Sequence, residues 1–323
     1  MLINNEKSVV PQVLPDYMIT TEAQLKEYIS ELNCRNVSRV SLDMEGDQGS
    51  IRYKYSISIF QIFDGQKSAV LDVLKMGPNQ TLKNFLTSSR FEKVMFSCNN
   101  DVYMAQNVLG CTIAPIRDIA IGQKLLGLPV NLAEYLNIEK QKKDSFQRAN
   151  WLTRPIKADL LEYAVNDVLK LLMIEQEIAQ KLKETKQIEE YLNAADSISK
   201  RNFKVHQHQQ FLAKFPGYSR LNSEKKRLAA SIWIFRELLG EKLNCPVGYL
   251  LSKKSMTQIL HSEADLHHAL ECELNRGRRD SRKIRQETIR ILMAQAASSP
   301  FLPKIVSRRP KRTITPSDPA LVK

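Results

Sequence analysis

Nowhere in its 323 residues does this chain run to the roughly 18 consecutive apolar residues that a membrane-spanning helix needs. Its first residues, MLINNEKSVVPQV, hold no apolar stretch ahead of a small-residue cleavage site. The sequence therefore predicts neither a membrane protein nor a secreted one. Its five cysteines (Cys34, Cys98, Cys111, Cys245 and Cys272) are odd in number, scattered and never paired as C-x-x-C. That argues against a disulfide framework or a structural zinc site, and for a reducing, cytoplasmic environment. Histidine is equally scarce, with five in the chain. His206 and His208 stand two apart and would not share a helix face, while His268 and Cys272 have helical spacing but lack two further ligands. No internal repeat is visible.

Charge, by contrast, is abundant and unevenly placed. From Arg201 onward there are 24 Lys and Arg against 10 Asp and Glu, whereas the first 200 residues hold 24 against 25. A near-neutral front half joined to a strongly basic back half suggests a catalytic unit followed by a unit that meets a polyanion. The length allows two domains, each with its own core.

Residues 1–17 read as an extended segment, with Pro11 and Pro15 opposing a helix, and Thr20 or Thr21 then caps a helix through EAQLKEYISEL. Alternating patterns predict strands at 39–45, 56–63 and 68–73, the last two joined by an Asp64-Gly65 turn, and a short strand at 93–96. Helices are expected at 81–86, 102–109, 119–126 and 132–136, with a long one from Lys157 to about Leu182. Meandering strands followed by strands mixed with helices define an α/β domain over residues 18–182. Residues 183–210 are polar and read as a helical connector. An all-α unit follows over 211–297; its clearest helix carries Leu228, Ile232, Phe235, Leu239 and Leu243 at helical spacing and is ended by Pro246. Residues 298–323 are Pro-rich and basic and read as a disordered tail.

Four carboxylates carry the chemistry. Val40, Leu42 and Met44 alternate with Ser41, Asp43 and Glu45, so a period of two puts Asp43 and Glu45 on one face of a strand. Two such carboxylates repel each other unless a cation sits between them. Tyr163 and Asp167 share a face of the helix LLEYAVNDVLKLLMI, where a phenol beside a carboxylate could position an attacking water. Asp101, in VMFSCNNDVYM, would on its own read as a helix N-cap, and Asp118, in PIRDIAIGQ, is a rival carboxylate that also suits an N-cap. Oxygen donors with no His or Cys near them select Mg²⁺ or Mn²⁺ over zinc. Gln147 and Arg148 fall in a loop expected over this face, where phosphate contact and simple solvation compete, and Trp151 reads as a packing anchor. In the basic half, Lys253, Lys254 and the run containing Arg278, Arg279 and Arg282 are dense enough for phosphate contacts.

Taken in order, these blocks resemble the DEDD superfamily of 3′-to-5′ exonucleases, and most closely its ribonuclease D branch. Asp43-Met44-Glu45 fits the first motif, SISIFQIFDG the strand after it, Asp101 the second motif, and Tyr163, Ala164 and Asp167 the third, Tyr-Ala-x-x-Asp, whose tyrosine marks the DEDDy subgroup. SFQRANWLTRPI is similar to the family's Gln-x-x-Asp-Trp-x-x-Arg-Pro signature, with Asn150 in place of the acidic residue and Asp144 where lysine is common. FPGYSRL with LNCPVGYLLSKKSMTQIL resembles a single HRDC domain.

The resemblance implies a ribonuclease H-like mixed sheet flanked by helices, followed by the HRDC-like helical domain. It implies two divalent ions, Asp43 bridging them, Glu45 and Asp167 completing one site, Asp101 holding the second ion and Tyr163 orienting or deprotonating the attacking water. Met44, between the first two carboxylates, joins Gln147 and Arg148 among the expected nucleic-acid contacts. The implied activity is metal-dependent trimming of RNA bearing a single-stranded 3′ end, such as tRNA precursors, with release of nucleoside 5′-monophosphates. No membrane and no small-molecule cofactor are expected, and the chain is expected to be a monomer. A DNA exonuclease of repair and a non-catalytic RNA-binding protein on the same fold remain as alternatives, because the residues alone do not separate RNA from DNA.

Overall fold

Alternation does build the sheet. A computed structural model describes residues 14–132, 145–203, 215–262, 266–276, 286–299 and 302. In it the first unit, within Met1–Val205, is built on six strands: β1 (Tyr17–Ile19), β2 (Arg39–Asp47), β3 (Ser56–Phe63), β4 (Ser68–Asp72), β5 (Glu92–Met95) and β6 (Ile116–Asp118). Their order is β1-β4-β3-β2-β5-β6, antiparallel for β2–β3 and β3–β4 and parallel elsewhere, which is the mixed α/β sheet expected. Sequence periodicity misses β1 and β6, edge strands of three residues, too short for a period of two to register.

Helix α1 (Glu22–Cys34) starts at Thr21, whose side chain accepts from the Gln24 amide while Gln24 caps back, a reciprocal capping box. The Asp64-Gly65 turn forms as read, Asp64 accepting from the Gln66 and Lys67 amides at 2.9 Å each. Short helices α2 (Val73–Met76), α3 (Gln80–Thr87), α4 (Asn99–Met104) and α5 (Ile119–Leu125) follow, α4 running on as a π turn through Ala105–Leu109. The expected helix at 132–136 lies almost entirely outside the described residues.

Both sheet faces are covered. Leu42, Met44, Phe60, Ile62, Ala69 and Leu71 pack on one side with Leu25, Tyr28 and Leu32 of α1 and Leu82 and Phe85 of α3. On the other side Ile59 and Val70 lie under α6 (Ala158–Leu169) through Leu160, Ala164 and Val165. Burying a side chain the size of Leu160 or Val165 contributes about 1.5–3 kcal/mol, which helps hold α6 on the sheet. The long helix expected from Lys157 is divided at Lys170, beyond which α7 (Leu171–Glu184) begins.

Within the segment read as a connector, Ile188–Lys200 forms α8, whose Tyr191, Ala195 and Ile198 are buried. Tyr191 donates to Glu175 of α7 at 3.3 Å, so this helix belongs to the first unit's packing. Its polar average hides an apolar stripe at helical spacing.

The second unit, within His206–Lys323, is helical in every described element: α9 (Ser223–Leu243), α10 (Val247–Leu250), α11 (Lys253–Leu260), α12 (Leu266–Arg276) and α13 (Gln286–Ala297). Helix α9 is buried without interruption from Ala229 to Arg236, so it is a central helix and not a one-sided amphipathic one. Leu243, expected in its apolar stripe, is instead exposed, and the helix stops at Asn244 in a left-handed conformation (φ 46°), before Pro246.

Candidate active site

Strand β2 pairs with β3 so that Asp43 faces Gln61 and Glu45 faces Ile59. Asp43 and Glu45 thus lie on the sheet side under α6, opposite Leu42 and Met44, and α6 carries Tyr163 and Asp167 onto the same side. Asp43, Glu45 and Asp167 each offer an oxygen, and these oxygens all lie within 4.8 Å of one another. Among the described residues this is the one group of three or more side chains able to hold a metal ion. Two like charges about 4 Å apart repel by about 4 kcal/mol even at an effective dielectric of 20, and a divalent cation converts that repulsion into attraction. The donor set is oxygen only, which fits a hard divalent ion.

The strand end is shaped for this purpose. The register of β2 against β3 shifts between Glu45 and Gly46, and a β-carbon on Gly46 would collide with the Ser56 carbonyl oxygen. Only glycine lets the two backbones approach there, directly after Glu45.

The three carboxylates open on a cavity of about 320 Å³ that Tyr163, Asn100 and Gln147 also border, with Phe96, Met104 and Leu132 as apolar wall. Gln147, which is helical rather than in a loop, thus borders the cavity. Exposed Arg148 is not among the cavity's lining residues. Met44 borders the cavity too, but its side chain belongs to the apolar core on the other face. Tyr163 packs its ring on Phe146 and Trp151, with centroids 5.1 and 6.2 Å away. Burial first, and then the negative charge of Asp167, Glu45 and Asp43, holds its hydroxyl proton well above the usual phenol range.

Asp101 stands apart from the three-carboxylate group. It lies in the first turn of α4, buried, and is not that helix's N-cap, a position held by Cys98. Burial keeps its carboxyl well above the ordinary range, and the charge of Asp118 pushes the same way. Asp118 is the N-cap that its sequence position suited. It accepts from the Ala120, Ser97 and Cys98 amides at 2.9, 2.8 and 3.1 Å, so it braces the turn leading to Asp101.

The segment carrying Gln147 is tied to the sheet. Arg154 binds Asp72 through two hydrogen bonds of 2.7 and 2.8 Å and reaches Ser58 Oγ at 3.0 Å. Ser58 in turn donates to the Trp151 carbonyl at 2.5 Å, and the buried Trp151 indole donates to the Phe146 carbonyl at 3.1 Å, a packing anchor as read. Asn150 caps the Leu152 amide at 3.0 Å, a local role that needs no acid, while Asp144 lies outside the described residues. One functional candidate escaped the sequence reading: Gln61, whose Nε2 donates to Asp43 Oδ2 at 3.1 Å. Its signal was a long amide inside the apolar run SISIFQIF.

In the second unit Lys253 and Lys254 are exposed at the start of α11. Arg278, Arg279 and Arg282 lie outside the described residues. His268 and Cys272 meet at 3.6 Å but join no larger ligand group among the described residues.

The order of strands, the acidic cluster and the tyrosine on its helix define a nuclease of the exonuclease kind, and residues 17–183 match the 3′-5′ exonuclease family, to which the chain belongs. Ribonuclease D of Musicola paradisiaca is 28% identical over 161 residues, covering 48% of this chain and 42% of that protein. Ribonuclease D of Escherichia coli is 29% identical over 163 residues (49% and 42%), and the exosome complex exonuclease RRP6 of Saccharomyces cerevisiae 25% over 213 residues (64% and 28%). The match thus spans less than half the length of each of these relatives. Among solved structures, Escherichia coli RNase D superposes with a TM-score of 0.69 at 20% identity, over 90% of this chain and 78% of that one. The catalytic core of RRP6 from Trypanosoma brucei gives 0.72 at 18% identity, over 87% and 79%. These likenesses confirm the fold.

Proposed function

We propose that the chain is a metal-dependent 3′-5′ exoribonuclease that trims RNA with a single-stranded 3′ end, tRNA precursors included, and releases nucleoside 5′-monophosphates. The observation that carries this reading is the convergence of Asp43, Glu45 and Asp167 within 4.8 Å at a cavity bordered by Tyr163, in a chain of the 3′-5′ exonuclease family. Preference for RNA over DNA follows the named relatives, which are ribonucleases D and an exosome nuclease.

Asp43, Glu45 and Asp167 would hold the ions, with Asp101 contributing to the second. Two bound Mg²⁺ or Mn²⁺ would supply charge to both the attacking and the leaving oxygen of the phosphodiester. Tyr163, beside Asp167 on the same helix face, would orient the attacking water by hydrogen bonding. Gln147 would contact the terminal phosphate or sugar, helped by Arg148. Lys253 and Lys254, with Arg278, Arg279 and Arg282, would meet backbone phosphates from an HRDC-like unit. We place the protein in the cytoplasm as a monomer, a reducing setting that its five free cysteines suit.

The test is product identity. Incubated with Mg²⁺ or Mn²⁺ and a short RNA carrying a free 3′ end, the protein should release nucleoside 5′-monophosphates. Release of 3′-monophosphates or of internal fragments would reject the mechanism.

A further inference from the structure

Strand β3 is buried from Ile57 to Ile62 and carries two polar side chains in that stretch, Ser58 and Gln61. Ser58 is accounted for by Trp151 and Arg154. Gln61 is fully buried, so it is shielded from the cavity and from any substrate. Its Nε2 donates to Asp43 Oδ2 at 3.1 Å, and its Oε1 has no hydrogen-bond partner among the described residues. A carboxylate only accepts, so the amide must face it N–H first, and turning it would set oxygen against oxygen. Leaving the other end of a buried amide unpaired costs stability, a cost that an apolar side chain of the same length would avoid. The amide is therefore held in place for what its N–H does to Asp43.

We infer that Gln61 is a positioning residue of the metal centre: its N–H fixes the Asp43 carboxylate against Glu45 and Asp167 before a cation arrives. The β2–β3 register makes this structural, because Asp43 and Gln61 are direct cross-strand partners. Without the donor, Asp43 would turn away from two neighbouring negative charges, and the cation would have to draw it back. The inference rests on the metal-centre reading above. Groups behind metal ligands commonly govern affinity by 10–100-fold.

The experiment is calorimetric titration of the full chain with Mn²⁺ alone, on the wild type, Gln61→Met and Asp43→Asn, with thermal unfolding in EDTA alongside. Gln61→Met should weaken Mn²⁺ binding by about 10–100-fold. Its metal-free unfolding temperature should stay near the wild-type value, because the lost bond and the relieved oxygen offset each other. Its RNase rate should climb towards wild type as Mn²⁺ is raised, a recovery that a merely structural defect would not show. Should Gln61→Met not fold, Gln61→Asn, one methylene too short to reach Asp43, should show the same weakening. Equal Mn²⁺ affinity in wild type and in the folded Gln61 variant overturns the inference while leaving the metal centre standing. A wild type that binds no Mn²⁺, or an Asp43→Asn variant that binds it as tightly, overturns the metal centre and this inference with it.

Discussion

Asp43 and Glu45 occupy alternate positions on one face of one strand, and what keeps them usable is the backbone immediately beyond. Gly46 lies against the Ser56 carbonyl, at the shift of register that interrupts β2–β3 pairing. Replacing it by alanine forces the strands apart where Glu45 is anchored. Gly46→Ala should therefore cost about 1–3 kcal/mol of stability, the usual range for overpacking, and reduce exonuclease rate further than that loss explains. Chemical denaturation beside a rate measurement on the folded fraction checks this, and a rate that simply follows the folded fraction would refute it. The acidic residues themselves were legible in the sequence because alternation places Asp43 and Glu45 together and helical spacing pairs Tyr163 with Asp167. Gln61 was not, because a single amide in an apolar strand shows no partner until the strand register is known.

The segment before α6 is shaped by ion pairing as much as by apolar packing. Arg154 clamps Asp72, whose side chain is 2% exposed, while Arg154 itself is 26% exposed. Arg154→Ala leaves that carboxylate buried with only the Lys75 amide as partner and no cation, and loosens the tether to Ser58 and Trp151. The expected loss is about 3 kcal/mol, the low end for stripping a buried charge of its partner, since Arg154 is partly wet. A shift in the urea midpoint measures it, and an unchanged midpoint would contradict the clamp. The strands of five or more residues, β2, β3 and β4, were foreseen in place, except that Val73, read as the end of β4, begins α2. Those that failed did so for identifiable reasons: β1 and β6 are three-residue edges, and the break at Lys170 interrupts an apolar pattern that continues on both sides of it. The helix Ile188–Lys200 was foreseen as helical but not as packed, because its buried stripe is outnumbered by charged residues.

At the scale of the whole molecule, the acidic site lies in the unit with almost no net charge and the basic excess lies in the other. If the second unit meets RNA backbone, removing two of its exposed lysines should change how binding responds to salt. Lys253→Ala with Lys254→Ala should lower the slope of log affinity against log salt by about 1.4, near 0.7 per lost phosphate contact on single strands, with turnover at saturating RNA unchanged. An unchanged slope would place the RNA contacts elsewhere. The central claim, that the convergent carboxylates make a metal-dependent exoribonuclease, is tested most directly by one time course. RNA labelled at its 5′ end and carrying a single-stranded 3′ tail is incubated with wild type or Asp43→Asn, in Mg²⁺, Mn²⁺ or EDTA, beside a matched DNA strand. The account predicts a ladder shortening from the 3′ end with wild type and metal, faster on RNA than on DNA, and abolished by EDTA and by Asp43→Asn while RNA binding persists. Shortening that continues in EDTA, or at a normal rate in Asp43→Asn, would contradict it.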